Sequence, residues 1–132
     1  MTSLSQTDYS YYALFIAGLL PYIFAGLAKF GAKEPYDNHD PRAFLEKVEG
    51  KQRRANNAQL NSFEAFPLFA AAVLVAHQKL GTNTDFFMIN ALSLSFVLAR
   101  VVYGWAYITD RASLRSLVWF VGFASACALF FV

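Results

Sequence analysis

The sequence predicts an all-α integral membrane protein, a four-helix bundle of up-down topology. Three observations lead there. The 132 residues are 57% hydrophobic and only 15% charged, against about 25% charged in an average soluble domain. Four segments are long enough to cross a hydrocarbon core of about 30 Å, which takes roughly 20 helical residues. The short alternating strands of a closed barrel are not visible, and in lipid that leaves helices. The whole chain, 1–132, is expected to form a single transmembrane domain.

The first span is expected from about Tyr9 to Lys29. Residues 1–12 contain no Lys or Arg, so the basic start of a signal peptide is missing and a retained span is expected. The connection over residues 30–53 carries half of the charged residues: Lys33, Glu34, Asp37, Asp40, Arg42, Glu46, Lys47, Glu49, Lys51 and Arg53. A short helix is expected inside it, with Asp40 as N-cap and Pro41 in the first helical position. Phe44, Leu45 and Val48 would form its apolar edge, Gly50 would stop it, and it would lie on the membrane surface.

The second span is expected from about Ala58 to Lys79, with Pro67 kinking it, the third from Asp85 to Tyr107, and the fourth from Leu114 to Val132. The links Gly81–Thr84 and Ile108–Ser113 are short, which makes consecutive helices antiparallel neighbours.

Lys and Arg placement sets the expected orientation. Lys33, Arg42, Lys47, Lys51, Arg53 and Arg54 flank the first connection, and Arg111 and Arg115 the third. The N-terminus has none and the second connection only Lys79. The first and third connections are therefore expected in the cytosol, with both termini on the opposite side.

Inside this apolar chain runs a polar stripe. Arg54, Asn57, Asn61 and Glu64 are spaced three, four and three apart, and Arg100, Tyr103 and Tyr107 three and four apart. Each set falls on one helix face. Ionisable groups at membrane depth are costly and mark functional sites. The expected orientation brings both sets, with Arg111 and Arg115, to one level facing the cytosol. A site there would admit a polar ligand from water and a lipophilic one from the membrane lipid.

Structural roles stand beside functional ones. Glu64 and Arg100 would lock the second span to the third as an ion pair, or line a pocket. Asn61 would join helices through its amide, or bind a ligand. Tyr103 and Tyr107 would belong to an aromatic belt, and Arg111 and Arg115 would anchor at the interface. His77 is expected to pack at the far end. Cys127 is expected to pack as a small hydrophobe. The net charge of +2, with no basic run among aromatics, gives no reason to expect nucleic acid as a partner. Two distant histidines and one cysteine argue against a metal site.

Two blocks carry a family resemblance. Residues 54–69, RANNAQLNSFEAFPLF, hold Asn61, Glu64 and Pro67 in the pattern Asn-x-x-Glu, two residues, Pro, then an apolar run. Residues 99–107, ARVVYGWAY, are followed by Arg111 and by Arg115-Ser116. Together they resemble the MAPEG family, the membrane-associated proteins of eicosanoid and glutathione metabolism, from about residue 40 onward. The resemblance implies a homotrimer that binds glutathione as co-substrate between subunits, for transfer to lipophilic electrophiles or reduction of lipid hydroperoxides. It implies that Asn61 and Glu64 hold polar groups of glutathione, with Glu64 suited to its ammonium. Tyr107 would bond the tripeptide, Arg100 would pair with Glu64 or hold the ligand, and Arg115 would stabilise the thiolate beside Ser116. Tyr103 shares the register of Arg100. Several family members carry Arg three or four residues before the Asn61 position; this chain has Asn57 and Ala58 there. Arg54, one turn before Asn57, is expected to reach the same pocket. The alternative function is a non-catalytic bundle of the same fold that binds a lipid or a protein partner.

Overall fold

The computed structural model describes residues 3–31 and 35–132. Lys33 and Glu34, counted above in the first connection, lie outside the described residues. The helices are α1 (Ser10–Phe30), α2 (Pro41–Lys47), α3 (Gly50–Leu80), α4 (Phe87–Ile108) and α5 (Ala112–Leu129). All but α2 are long and apolar enough to cross a membrane. The architecture is the expected all-helical bundle.

Hydrogen bonds between helix ends establish the up-down order. At one end Gln52 Nε2 donates to Ala28 O at 2.9 Å, and Arg54 Nε to Ile108 O at 3.0 Å. That end gathers the end of α1, the start of α3 and the turn from α4 to α5. At the other, Tyr9 N–H donates to Asn90 Oδ1 at 2.7 Å, and Lys79 Nζ donates to Phe130 O at 2.8 Å. The first is the basic end, where Arg42, Lys47, Lys51, Arg53, Arg54, Arg111 and Arg115 cluster along the chain.

Two expectations fail around Gly50. It does not stop the short helix, which ends at Lys47 with Val48 extended behind it. Gly50 instead opens α3, with φ +57, a left-handed turn that glycine makes without steric cost. The second span was expected from Ala58, but α3 starts eight residues earlier. Hydropathy marks only the lipid-immersed part. The preceding turns are polar, yet Lys51, Gln52, Arg53, Arg54 and Ala55 are good helix formers. Asp40 caps α2 as expected, its carboxylate accepting from Ala43 N–H at 3.1 Å. α3 also runs without a break through Pro67.

The core is built on small residues, which let membrane helices approach closely. Ala13, Ala17, Ala72, Ala76 and Ala126 surround the stacked rings of Phe69 and Phe96, whose centroids lie 3.9 Å apart. A second cluster of Leu20, Phe24 and Ala58 packs against Tyr107 and Ile108 at the basic end. Tyr12, Phe15, Tyr22, Leu98 and Phe120 point outward, as lipid-facing residues do.

The far end is closed by a polar strap. Asn90, fully buried, accepts from Tyr9 N–H and donates to Leu4 O and Thr7 O, both at 2.6 Å. His77 contacts Ser10 Oγ at 2.6 Å and Asp8 Oδ2 at 3.3 Å, and it stacks on Tyr11. His77 is thus a packing residue away from the basic end. Asn90→Ala removes all three bonds and should lower stability by about 2 kcal/mol, since buried groups left unpaired cost about 1–3 kcal/mol. Thermal unfolding in detergent measures this, and faster amide exchange over residues 4–9 localises it.

Candidate functional site

Three helices supply the site, and their registers decide which side chains meet. On α3 the buried positions Ala55, Ala58, Ser62 and Phe69 face the bundle. Asn61, Glu64, Ala65 and Leu68 lie on a neighbouring face and border a recess of about 160 Å³. Phe96 and Arg100 of α4 and Trp119, Phe123 and Ala126 of α5 complete its wall. A second recess of about 230 Å³ is bordered by Asn61, Tyr103, Arg115, Ser116, Trp119 and Phe120. Asn61 and Trp119 belong to both, so the two recesses adjoin.

The α4–α5 turn fixes Arg115 against this wall. Asp110 takes φ +61, a left-handed conformation that Asp tolerates better than most residues. Arg111 N–H then bonds Ala106 O at 2.7 Å and Asp110 N–H bonds Tyr107 O at 3.1 Å, the two closures of a Schellman motif. Arg115 follows one turn into α5, its guanidinium 4.6 Å from the centre of the Tyr107 ring. Tyr107 meets Tyr103 edge-on, with centroids 5.7 Å apart. Arg100 lies 4.1 Å from the centre of the Tyr103 ring. The two arginines and two tyrosines thus form a continuous row along α4 and the start of α5. Each guanidinium lies against an aromatic face, an attractive arrangement.

Among the described residues, Arg100 and Glu64 form no ion pair. Arg100 is 3% exposed and donates from Nη2 to Ser62 Oγ at 3.1 Å. Glu64 is exposed, and its carboxylate accepts only a long bond of 3.4 Å from Asn61 Nδ2. The amide oxygen of Asn61 is buried and has no donor among the described residues. Buried acceptors of this kind are rare in folded proteins.

Of the residues singled out in the sequence, Asn61, Glu64, Arg100, Tyr103, Arg115 and Ser116 border the two recesses, and Tyr107 touches them through Arg115 and Tyr103. Arg54 and Asn57 border neither. Arg54 is turned to the carbonyl of Ile108, where a cation suits the negative end of a helix. Asn57 is half-buried. Arg111 is exposed and lies over Trp105 at 4.8 Å, as an interfacial anchor would.

Sequence reasoning missed Trp119, Phe123 and Ser62. Trp119 and Phe123 stack in parallel with centroids 5.1 Å apart and form the apolar wall. A signal existed for them: Arg115, Trp119, Phe123 and Ala126 are spaced four, four and three apart on one face of α5.

Chemically, the arrangement offers a carboxylate with room for a cation, a buried amide acceptor, a guanidinium with no carboxylate partner among the described residues, and an aromatic wall behind them. The sequence model of the MAPEG family matches residues 9–132. Neither a curated protein nor a solved structure matches the chain.

Proposed function

The chain belongs to the MAPEG family, and from that premise we propose that it is a glutathione-dependent membrane enzyme acting on lipophilic electrophiles or lipid hydroperoxides. The observation that carries this reading is the joining of the two recesses at Asn61. Polar groups for a tripeptide and an apolar wall for a second substrate meet there, in recesses that run from the basic half of the bundle to its middle.

Glu64 receives the ammonium of glutathione, and Asn61 Oδ1 gains a donor from it. Tyr107 and Ser116 contribute hydroxyls. Arg115 stands where the thiol is activated. A free thiol has a pKa of about 8.5, so little thiolate forms at neutral pH. A neighbouring guanidinium stabilises the anion, and about 1.4 kcal/mol of that stabilisation lowers the pKa by one unit. Arginine does this without titrating. The electrophile rests on Trp119, Phe123, Phe96 and Leu68, and no protein nucleophile is needed. The basic end faces the cytosol in this reading, which rests on the placement of Lys and Arg.

Exposed Glu64 also supports assembly. It shares an outer face of α3 with exposed Leu60, Phe63, Pro67 and Leu68, and an ionisable group at membrane depth is not left facing lipid. Further copies of the chain cover that face, and the family resemblance supports three.

Titrating detergent-purified protein with glutathione tests the reading. The wild type should bind, and Glu64→Gln and Asn61→Ala should each weaken binding by about tenfold, as the loss of a charged hydrogen bond does. A wild type without affinity for glutathione would leave the non-catalytic bundle as the better description.

A further inference from the structure

We propose that Ser62 is a positioning residue that holds Arg100 away from Glu64 and so keeps the Glu64 carboxylate free for the ligand's ammonium group. The inference rests on the glutathione reading above and deepens it.

Arg100 is a buried cation on a membrane helix, and such groups pair with whatever acceptor is in reach. The strongest acceptor nearby is Glu64, which borders the same recess. A guanidinium–carboxylate bond joins two opposite charges, commonly through two parallel hydrogen bonds, and is stronger than a guanidinium bond to a neutral hydroxyl. Yet Arg100 bonds the Ser62 hydroxyl at 3.1 Å, and its guanidinium lies 4.1 Å from the centre of the Tyr103 ring. Helix register explains the choice. Ser62 and Glu64 are two residues apart, so they point to different sides of α3. Ser62 is 4% exposed and faces α4, whereas Glu64 is exposed. The serine hydroxyl and the Tyr103 ring together hold the guanidinium on the packed side. A directly paired Glu64 would have its charge satisfied by Arg100, and an incoming ammonium would have to break that pair. Held by Ser62, Arg100 still lends the recess its positive charge while the carboxylate stays unpaired.

The test compares two ligands that differ only at the ammonium group. Full-length protein in detergent is titrated with glutathione and with desamino-glutathione, in which that group is replaced by hydrogen. In Ser62→Ala, Arg100 loses its acceptor and turns to Glu64. Affinity for glutathione should fall by about tenfold, while affinity for the desamino compound should hold. Ser62→Thr keeps the hydroxyl and should restore the wild-type pattern. Adding Ser62→Ala to Glu64→Gln should change glutathione affinity no further. Should Ser62→Ala fail to assemble, Ser62→Cys, of similar size and a much weaker acceptor, carries the same comparison. Equal loss for both ligands, or no loss for either, overturns the role of Ser62 while leaving glutathione binding in place. A wild type that binds neither compound overturns the glutathione reading and this inference with it.

Discussion

Replacing Arg115 with Ala should lower kcat/KM for glutathione conjugation by about 10²–10³-fold, the usual effect of removing one preorganised charge-stabilising group. That corresponds to roughly 3–4 kcal/mol of transition-state stabilisation. Arg115 lines the second recess, its guanidinium lies against Tyr107, and no ion pair engages it among the described residues. Its charge is therefore available to a bound anion. Glutathione affinity should change much less than the rate, because the proposed binding groups Asn61 and Glu64 are left in place. The pH–rate profile should separate this role from a structural one. In the variant the rate should follow a thiol pKa moved up toward that of the free thiol, about 8.5. Arg115→Lys keeps the charge but loses the planar fork and should recover only part of the rate. An Arg115→Ala enzyme with unchanged kcat/KM and pH profile would remove Arg115 from the mechanism.

The second large effect is on stability. Gly104→Ala should destabilise the bundle by about 3 kcal/mol, the upper part of the range for overpacked cores. A Cβ at Gly104 would stand 1.9 Å from Phe24 Cζ and 2.3 Å from Cε1, far inside contact distance. Phe24 is only 6% exposed and is locked into a cluster with Leu20 and Ala58, so its ring has little room to retreat. Combining Gly104→Ala with Phe24→Leu should recover much of the loss, because the shorter side chain opens the space. Tyr107 packs on the same cluster, so the single variant should also weaken glutathione binding. Unfolding in detergent followed by circular dichroism measures the first effect. A Gly104→Ala protein as stable as the wild type would mean that α1 and α4 adjust freely at this crossing.

The spans were legible in the sequence because lipid imposes a strong requirement on length and polarity. α1, α4 and α5 lie within a few residues of their expected ranges. The start of α3 was not legible, because its first turns leave the apolar layer and carry no hydropathy signal. Glycine at position 50 reads equally as a stop or as a left-handed entry, and the neighbouring chain decides between them.

Helical spacing located the polar face but not the neighbours it meets. Arg54 and Glu64 share a face, yet ten residues of helix separate them by about 15 Å. One end of that face meets the end of α4, and the other meets α5. Arg54 therefore bonds the end of α4 while Glu64 borders the recess, a separation that spacing alone does not show. Ser62 was hidden for a related reason. Its significance depends on Arg100 arriving from α4, which only the packing of the two helices reveals. Gly104 is similar, since its meaning comes from Phe24 on α1. That the basic end faces the cytosol is an expectation from topology rules alone.

Ultraviolet difference spectra of glutathione bound to the purified protein, recorded across pH, report whether the bound thiol is ionised. The expected result is a thiolate band already present near neutral pH in the wild type, displaced by S-methylglutathione and lost in Arg115→Ala. Glutathione bound without a thiolate band below about pH 8, where the free thiol is still largely protonated, would contradict it.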